Sequence, residues 1–162
     1  MRRFFADDVG SLALLTVLLL PTTLLVLVGV LELGAVRVIA ERARTAADLA
    51  TVTAVNDQDE AELARTGRLR PSADAAQVAR DQFALNIEPL AASLAASPKE
   101  IAASADVVVF PTAGEVDPRT GALYSGPTVR LAADLPVRTP AFAALLARPV
   151  TVVHILSASS AR

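Results

Sequence analysis

From Val9 to Leu31 the chain carries no charged side chain, a run of about 23 residues. At 1.5 Å rise per residue, about 20 apolar residues cross the hydrocarbon core of a bilayer. A helix of this length in a soluble protein normally keeps a polar face, and this one has none. The run therefore predicts a transmembrane helix, with a central core helix as the competing reading.

The 162 residues leave room for one modest domain after that helix. Net charge is −2, so no basic excess points to nucleic acid. Cysteine is absent, which excludes disulfides and thiolate chemistry and leaves the redox compartment unread. Aromatic residues make up 4% and Trp is missing, so the core has to come from Val, Leu, Ile and Ala.

A short leader, Met1–Asp8, places Arg2 and Arg3 ahead of the run. The run is much longer than the 7–15 residues of a signal-peptide core, and no small-x-small cleavage site follows it. Arg37, Arg42 and Arg44 stand beyond the other end, so the count of basic residues leaves the orientation open. Pro21 should bend the helix, with Thr22 and Thr23 placed to bond the freed backbone groups. Glu32 ends the run. It is an interfacial carboxylate reaching water if the span starts at Gly10, and a buried one needing a partner if it starts later.

Helical periodicity continues past the run. Val26, Gly29, Leu33, Val36, Ala40, Ala43, Ala47, Ala50 and Ala54 recur at alternating steps of three and four, a heptad seam. Small residues along it permit close approach of a second backbone. The pattern predicts one helix from about Gly10 to about Val55, on the order of 65–70 Å long. The seam either docks on helices of other subunits or packs on the chain's own domain, and both readings require a continuous helix.

The order of these features carries a resemblance: Gly10-Ser11 after an Arg-containing leader, Leu20-Pro21 within the apolar run, Glu32-Leu33-Gly34, then Ala46–Ala50 (AADLA). Together they resemble the N-terminal region of TadE/TadG-like proteins, the pilin-like or pseudopilin-like components of tight-adherence pili. The likeness covers about the first 55 residues and departs from the type IV pilin pattern at Val9, ahead of the glycine, and at Leu15. It implies a cytoplasmic N-terminus, a bulk outside the bacterial inner membrane, and processing by a prepilin peptidase between Gly10 and Ser11. The partners it implies are the lipid bilayer, other pilin-like subunits or secretion-assembly proteins, and that peptidase.

Residues 56–162 read as an extracytoplasmic α+β domain. Asn56–Ser72 is polar, broken by Gly67 and Pro71, and reads as an exposed connection. Its Asp57, Asp59, Glu60 and Glu62 lack calcium-loop spacing, and Arg65, Arg68 and Arg70 read as plain surface. A second helix should begin near Ser72 and bury Ala76, Ala79, Phe83, Ile87, Leu90 and Leu94, with Pro89 interrupting it. Ser97-Pro98-Lys99-Glu100 is a capping box.

The period then changes to that of strands at Asp106–Phe110, Thr128–Leu135 and Val150–Leu156. Pro111–Pro127 between the first two predicts a hairpin with a long exposed tip holding Tyr124. Thr139-Pro140 should start a short helix over Ala141–Ala147 with Phe142, Leu145 and Leu146 toward the core. Ser157–Arg162 should fray. The fold expected is α+β: a long N-terminal helix running into a pilin-like domain with a second helix and a small antiparallel sheet of about three strands.

His154 is the only histidine and sits in an apolar strand, which favours a structural or edge role over a metal or catalytic one. No nucleotide, zincin or G-x-S-x-G pattern occurs, so no cofactor, metal or enzyme activity is expected. The leading expectation is a pilin-like or pseudopilin-like assembly subunit, with Glu32 as a polar inter-subunit candidate. The alternative is a permanently anchored envelope protein that binds or scaffolds a partner.

Overall fold

A computed structural model describes the backbone of residues 4–161, with the side chains of residue 13 and of residues 15–161. The chain is α+β. Its order is α1 (Phe4–Asn56), α2 (Glu60–Thr66), α3 (Ala75–Ile87), a 3-10 helix (Glu88–Ser93), α4 (Pro98–Ser104), β1 (Asp106–Phe110), β2 (Thr128–Arg138), α5 (Pro140–Leu146) and β3 (Val150–Ser160).

α1 is continuous over 53 residues, about 80 Å at the helical rise. It passes Pro21 without interruption. Thr22 and Thr23 donate their hydroxyls to the carbonyls of Leu18 and Leu19, each at 2.8 Å. Those carbonyls neighbour that of Val17, the one Pro21 cannot serve for want of an N–H. α1 is long and apolar enough to cross a membrane, and only 6% of its most apolar stretch is buried. A core helix of a soluble protein would be mostly covered, so the competing reading loses its physical basis.

Above that stretch α1 becomes the spine of the domain. Ala43, Ala47, Ala50 and Ala54 are all 0% exposed, packed against α3 first and then β3 and β2. Alanine here lets the second helix and the sheet approach the α1 backbone closely. The second helix is α3, which buries Ala75, Ala79, Phe83 and Ile87. Ala75 takes the inward position expected of Ala76, since the helix starts after Asp74 rather than at Ser72. Pro89 converts the next turn to 3-10 geometry, and Leu90 and Leu94 stay buried beyond it. Ser97 and Glu100 form the expected capping box on α4.

The sheet is an antiparallel meander in the order β1-β2-β3. In central β2, Val129, Leu131, Leu135 and Val137 alternate onto the helix side and are fully buried with Phe83, Ile87 and Leu94. β3 runs through Ser160, so the expected fraying at Ser157 does not occur. A hydroxyl ladder holds it. Thr51 Oγ1 lies 2.8 Å from Ser159 Oγ and 3.1 Å from Ser157 Oγ, and Ser157 donates to Asp48 at 2.7 Å. Small polar side chains suit this strand because their partners are on α1.

Two local expectations also change. The polar connection contains α2, capped by Asp59 accepting from Glu62 N–H and closed by Gly67 in the left-handed region at φ 69°. α5 forms where expected, but Leu145 and Leu146 are 45% and 65% exposed instead of core-facing. α5 rests on α1 rather than on the sheet.

Candidate functional site

The junction between the uncovered and covered parts of α1 is built around Glu32. Its Oε1 accepts from Ala141 N–H at 2.8 Å and its Oε2 from Phe142 N–H at 2.6 Å. These are orphan donors of the first turn of α5, which no intrahelical carbonyl can reach. Thr139, at the N-cap position, makes no cap bond, because its hydroxyl donates to Arg148 O at 2.9 Å. Glu32 therefore caps a helix more than a hundred residues along the chain, with negative charge at the positive end of α5. The structure thus gives Glu32 the partner that a part-buried carboxylate needs, and that partner is the backbone of its own chain.

The heptad seam divides at the same level. Ala43, Ala47, Ala50 and Ala54 are consumed by the chain's own core, so they offer no surface to another subunit. Val36 and Ala40 are half-buried. Gly29 is partly covered, and a Cβ built on it would meet the Phe142 ring at 4.0 Å. Only Val26 and Leu33 remain open, at 62% and 54% exposed. The backbone of Gly10 and Ser11 lies in α1, but their side-chain surroundings, like Met1–Arg3 and Arg162 altogether, fall outside the described residues.

A second polar centre closes the far end of the sheet. The segment between β1 and β2 folds back on itself instead of extending, through a bridge of Val116 with Leu123, and buries Asp117 completely. Asp117 accepts from Arg119 N–H at 2.9 Å, Thr120 Oγ1 at 2.8 Å and Tyr124 Oη at 3.2 Å. Buried Arg130 brings Nε to 3.2 Å from Asp117 and reaches Asp106 with Nη2 at 3.0 Å. Burial pushes the Asp117 carboxyl up. The hydrogen bonds of Arg119 and Thr120 and the Arg130 charge outweigh it, holding the carboxyl below the usual carboxylate range. Burial and the Asp117 charge push the Tyr124 phenol upward. The Phe110 and Tyr124 rings pack 4.9 Å apart, tilted at 51°. Asp117 is fully engaged within the fold, whereas buried Arg130 meets it through Nε as an ion pair only and leaves Nη1 without a hydrogen-bond partner among the described residues. The cluster acts as a latch on the sheet.

His154 stands on an exposed face with Nδ1 2.6 Å from Asp134 Oδ1, a surface pair across the β2–β3 ladder. Asp57 accepts from Ser72 and Glu62 pairs with Arg65, so the acidic connection is tied into local structure.

What sequence reasoning missed is the tertiary half of each contact. The start of α5 was legible in Thr139-Pro140, whereas the carboxylate that caps it lies on another element with no spacing rule between them. Comparison with protein-family models, with characterised proteins and with solved structures found no match.

Proposed function

We propose that this chain is a single-pass protein of the bacterial inner membrane, with a cytoplasmic N-terminus and its α+β head outside. Its role is structural, as a pilin-like or pseudopilin-like subunit of a tight-adherence pilus or related secretion apparatus, and not catalytic. The observation that carries the reading is the division of α1: one uninterrupted helix, large apolar side chains uncovered at one end, a compact head built on its other end. A helix of that design lies in lipid by its lower half and exchanges lipid for neighbouring helices on assembly. The face left for such neighbours is the one with Val26 and Leu33, since the alanines above are occupied.

Internal use of Glu32 favours a second reading, a permanently anchored envelope protein whose head scaffolds a partner without entering a fibre. The two are separated by the N-terminal sequence and intact mass of protein taken from its native membrane. A start at Ser11, lost when prepilin peptidase is absent, is the result expected of the pilin-like subunit. A start at Met1 whatever the peptidase background overturns that reading and leaves the fixed anchor.

A further inference from the structure

A groove of about 760 Å³ lies between α1 and α5. Val28, Leu31, Val36 and Ile39 line its α1 wall, with Ala141 and Pro149 opposite. The α1 positions recur at helical spacing along about 16 Å of the axis, so one end opens among the uncovered apolar side chains and the other reaches the first charged turns. The groove is thus continuous with the part of α1 assigned to lipid.

The charges at its rim are unequal. Glu32 lines the groove, but both of its oxygens are engaged by Ala141 and Phe142 amides. Arg138, also lining it, is exposed and uses Nε to donate to Leu94 O at 2.7 Å. No carboxylate pairs with the rest of its guanidinium among the described residues. Exposed Arg37 and Arg148, each next in sequence to a lining residue, add positive charge nearby. An apolar channel continuous with the uncovered part of α1 and lined by one exposed cation, Arg138, matches an acyl chain joined to a phosphate.

We infer that this groove holds one anionic phospholipid of the leaflet beneath the head, its phosphate at Arg138 and an acyl chain along Val28, Leu31 and Val36. The inference rests on the reading of lower α1 as membrane-spanning. A lipid seated there touches both α1 and α5, fixing the head against the bilayer surface.

The test uses the full chain, extracted in mild detergent, equilibrated with phosphatidylglycerol or phosphatidylcholine and weighed by native mass spectrometry. One phosphatidylglycerol per chain should be retained, with about fivefold preference over phosphatidylcholine, the effect of one basic side chain at a lipid surface. Arg138→Gln should remove the preference. Because Arg138 also braces Leu94, a second variant is needed: Ala35→Phe fills the groove with every charge intact and should abolish retention of either lipid. Equal retention of both lipids, unchanged by Ala35→Phe, would mean ordinary boundary lipid and overturn the proposal. No bound lipid, with paired chains that Ala35→Phe separates, would mean the groove takes a second copy and would overturn it equally. Carbonate extraction of the native membranes separates the two levels. Release of the chain defeats the anchor and the lipid site together, whereas a carbonate-resistant chain without lipid preference defeats the lipid site alone.

Discussion

The two halves of α1 differ in whether the rest of the chain covers one face of the helix. In the lower half the large aliphatic residues point outward, with Leu18 71% and Val17 75% exposed. In the upper half the buried face is mostly alanine, Ala43, Ala47, Ala50 and Ala54 at 0% with Val55 at 2%, while Leu49 and Val52 stay exposed. A protein in water would do the reverse, burying leucine and tolerating alanine outside. On the proposed membrane-spanning reading, lipid solvates the leucines of the lower half at no cost. Above, size is limited by how closely α3 and the sheet approach.

The comparison can be broken at several points. The largest effect is expected from a charge. Leu19→Arg places a guanidinium in the lower half and should cost about 3 kcal/mol of insertion, whereas Leu49→Arg, on an equally exposed upper position, should leave insertion unchanged. Carbonate extraction of both variants measures it, and equal behaviour would erase the distinction between the halves. Next comes volume. Ala47→Leu overpacks the head and should lower its stability by about 1–3 kcal/mol, read as the thermal midpoint in detergent. Leu25→Ala, the same change in side-chain size in the opposite direction, should leave that midpoint alone.

At the boundary, Glu32→Ala should loosen the start of α5 by about 0.5–2 kcal/mol, since two orphan amides lose their acceptor. Faster hydrogen exchange at Ala141 and Phe142, with Ala79 unaffected, would report it. A smaller effect concerns the latch that the halves do not share. The Asp117 carboxyl is held below its ordinary value in the folded state, so its stabilisation is fully present above about pH 4 and is lost as pH falls through the lower folded value. Asp117→Asn should flatten that acid limb in a plot of thermal midpoint against pH. An unchanged limb would assign it to other carboxylates.

The division of α1 also explains what the sequence made readable. Continuous helix from the apolar run into the alanine seam follows from local periodicity, and so do the strands, the α4 capping box and the start of α5. The seam itself was ambiguous, because alanines at heptad spacing fit a neighbouring subunit and the chain's own sheet equally well. Burial by α3 and β3 gives Ala43, Ala47, Ala50 and Ala54 to the chain's own core and leaves Val26 and Leu33 open. Glu32 was legible as a carboxylate needing a partner, but the partner is a pair of backbone amides, which leave no mark in sequence. The β3 extension was hidden because Ser157 and Ser159 resemble a frayed end until Thr51 and Asp48 are placed beside them. α2 was within reach: Asp59, Glu62 and Gly67 are its cap, first-turn acid and terminator, obscured by the surrounding charge run.

The most direct measurement exploits the absence of cysteine. Leu24 and Leu49 are 52% and 54% exposed, so nothing in the chain itself distinguishes their access to reagents. Single variants Leu24→Cys and Leu49→Cys, treated with a water-soluble maleimide in native membranes opened to both faces, should label only at Leu49, with Leu24 protected until detergent is added. Labelling of Leu24 at the rate of Leu49 in intact bilayer would mean that both halves of α1 share one solvent.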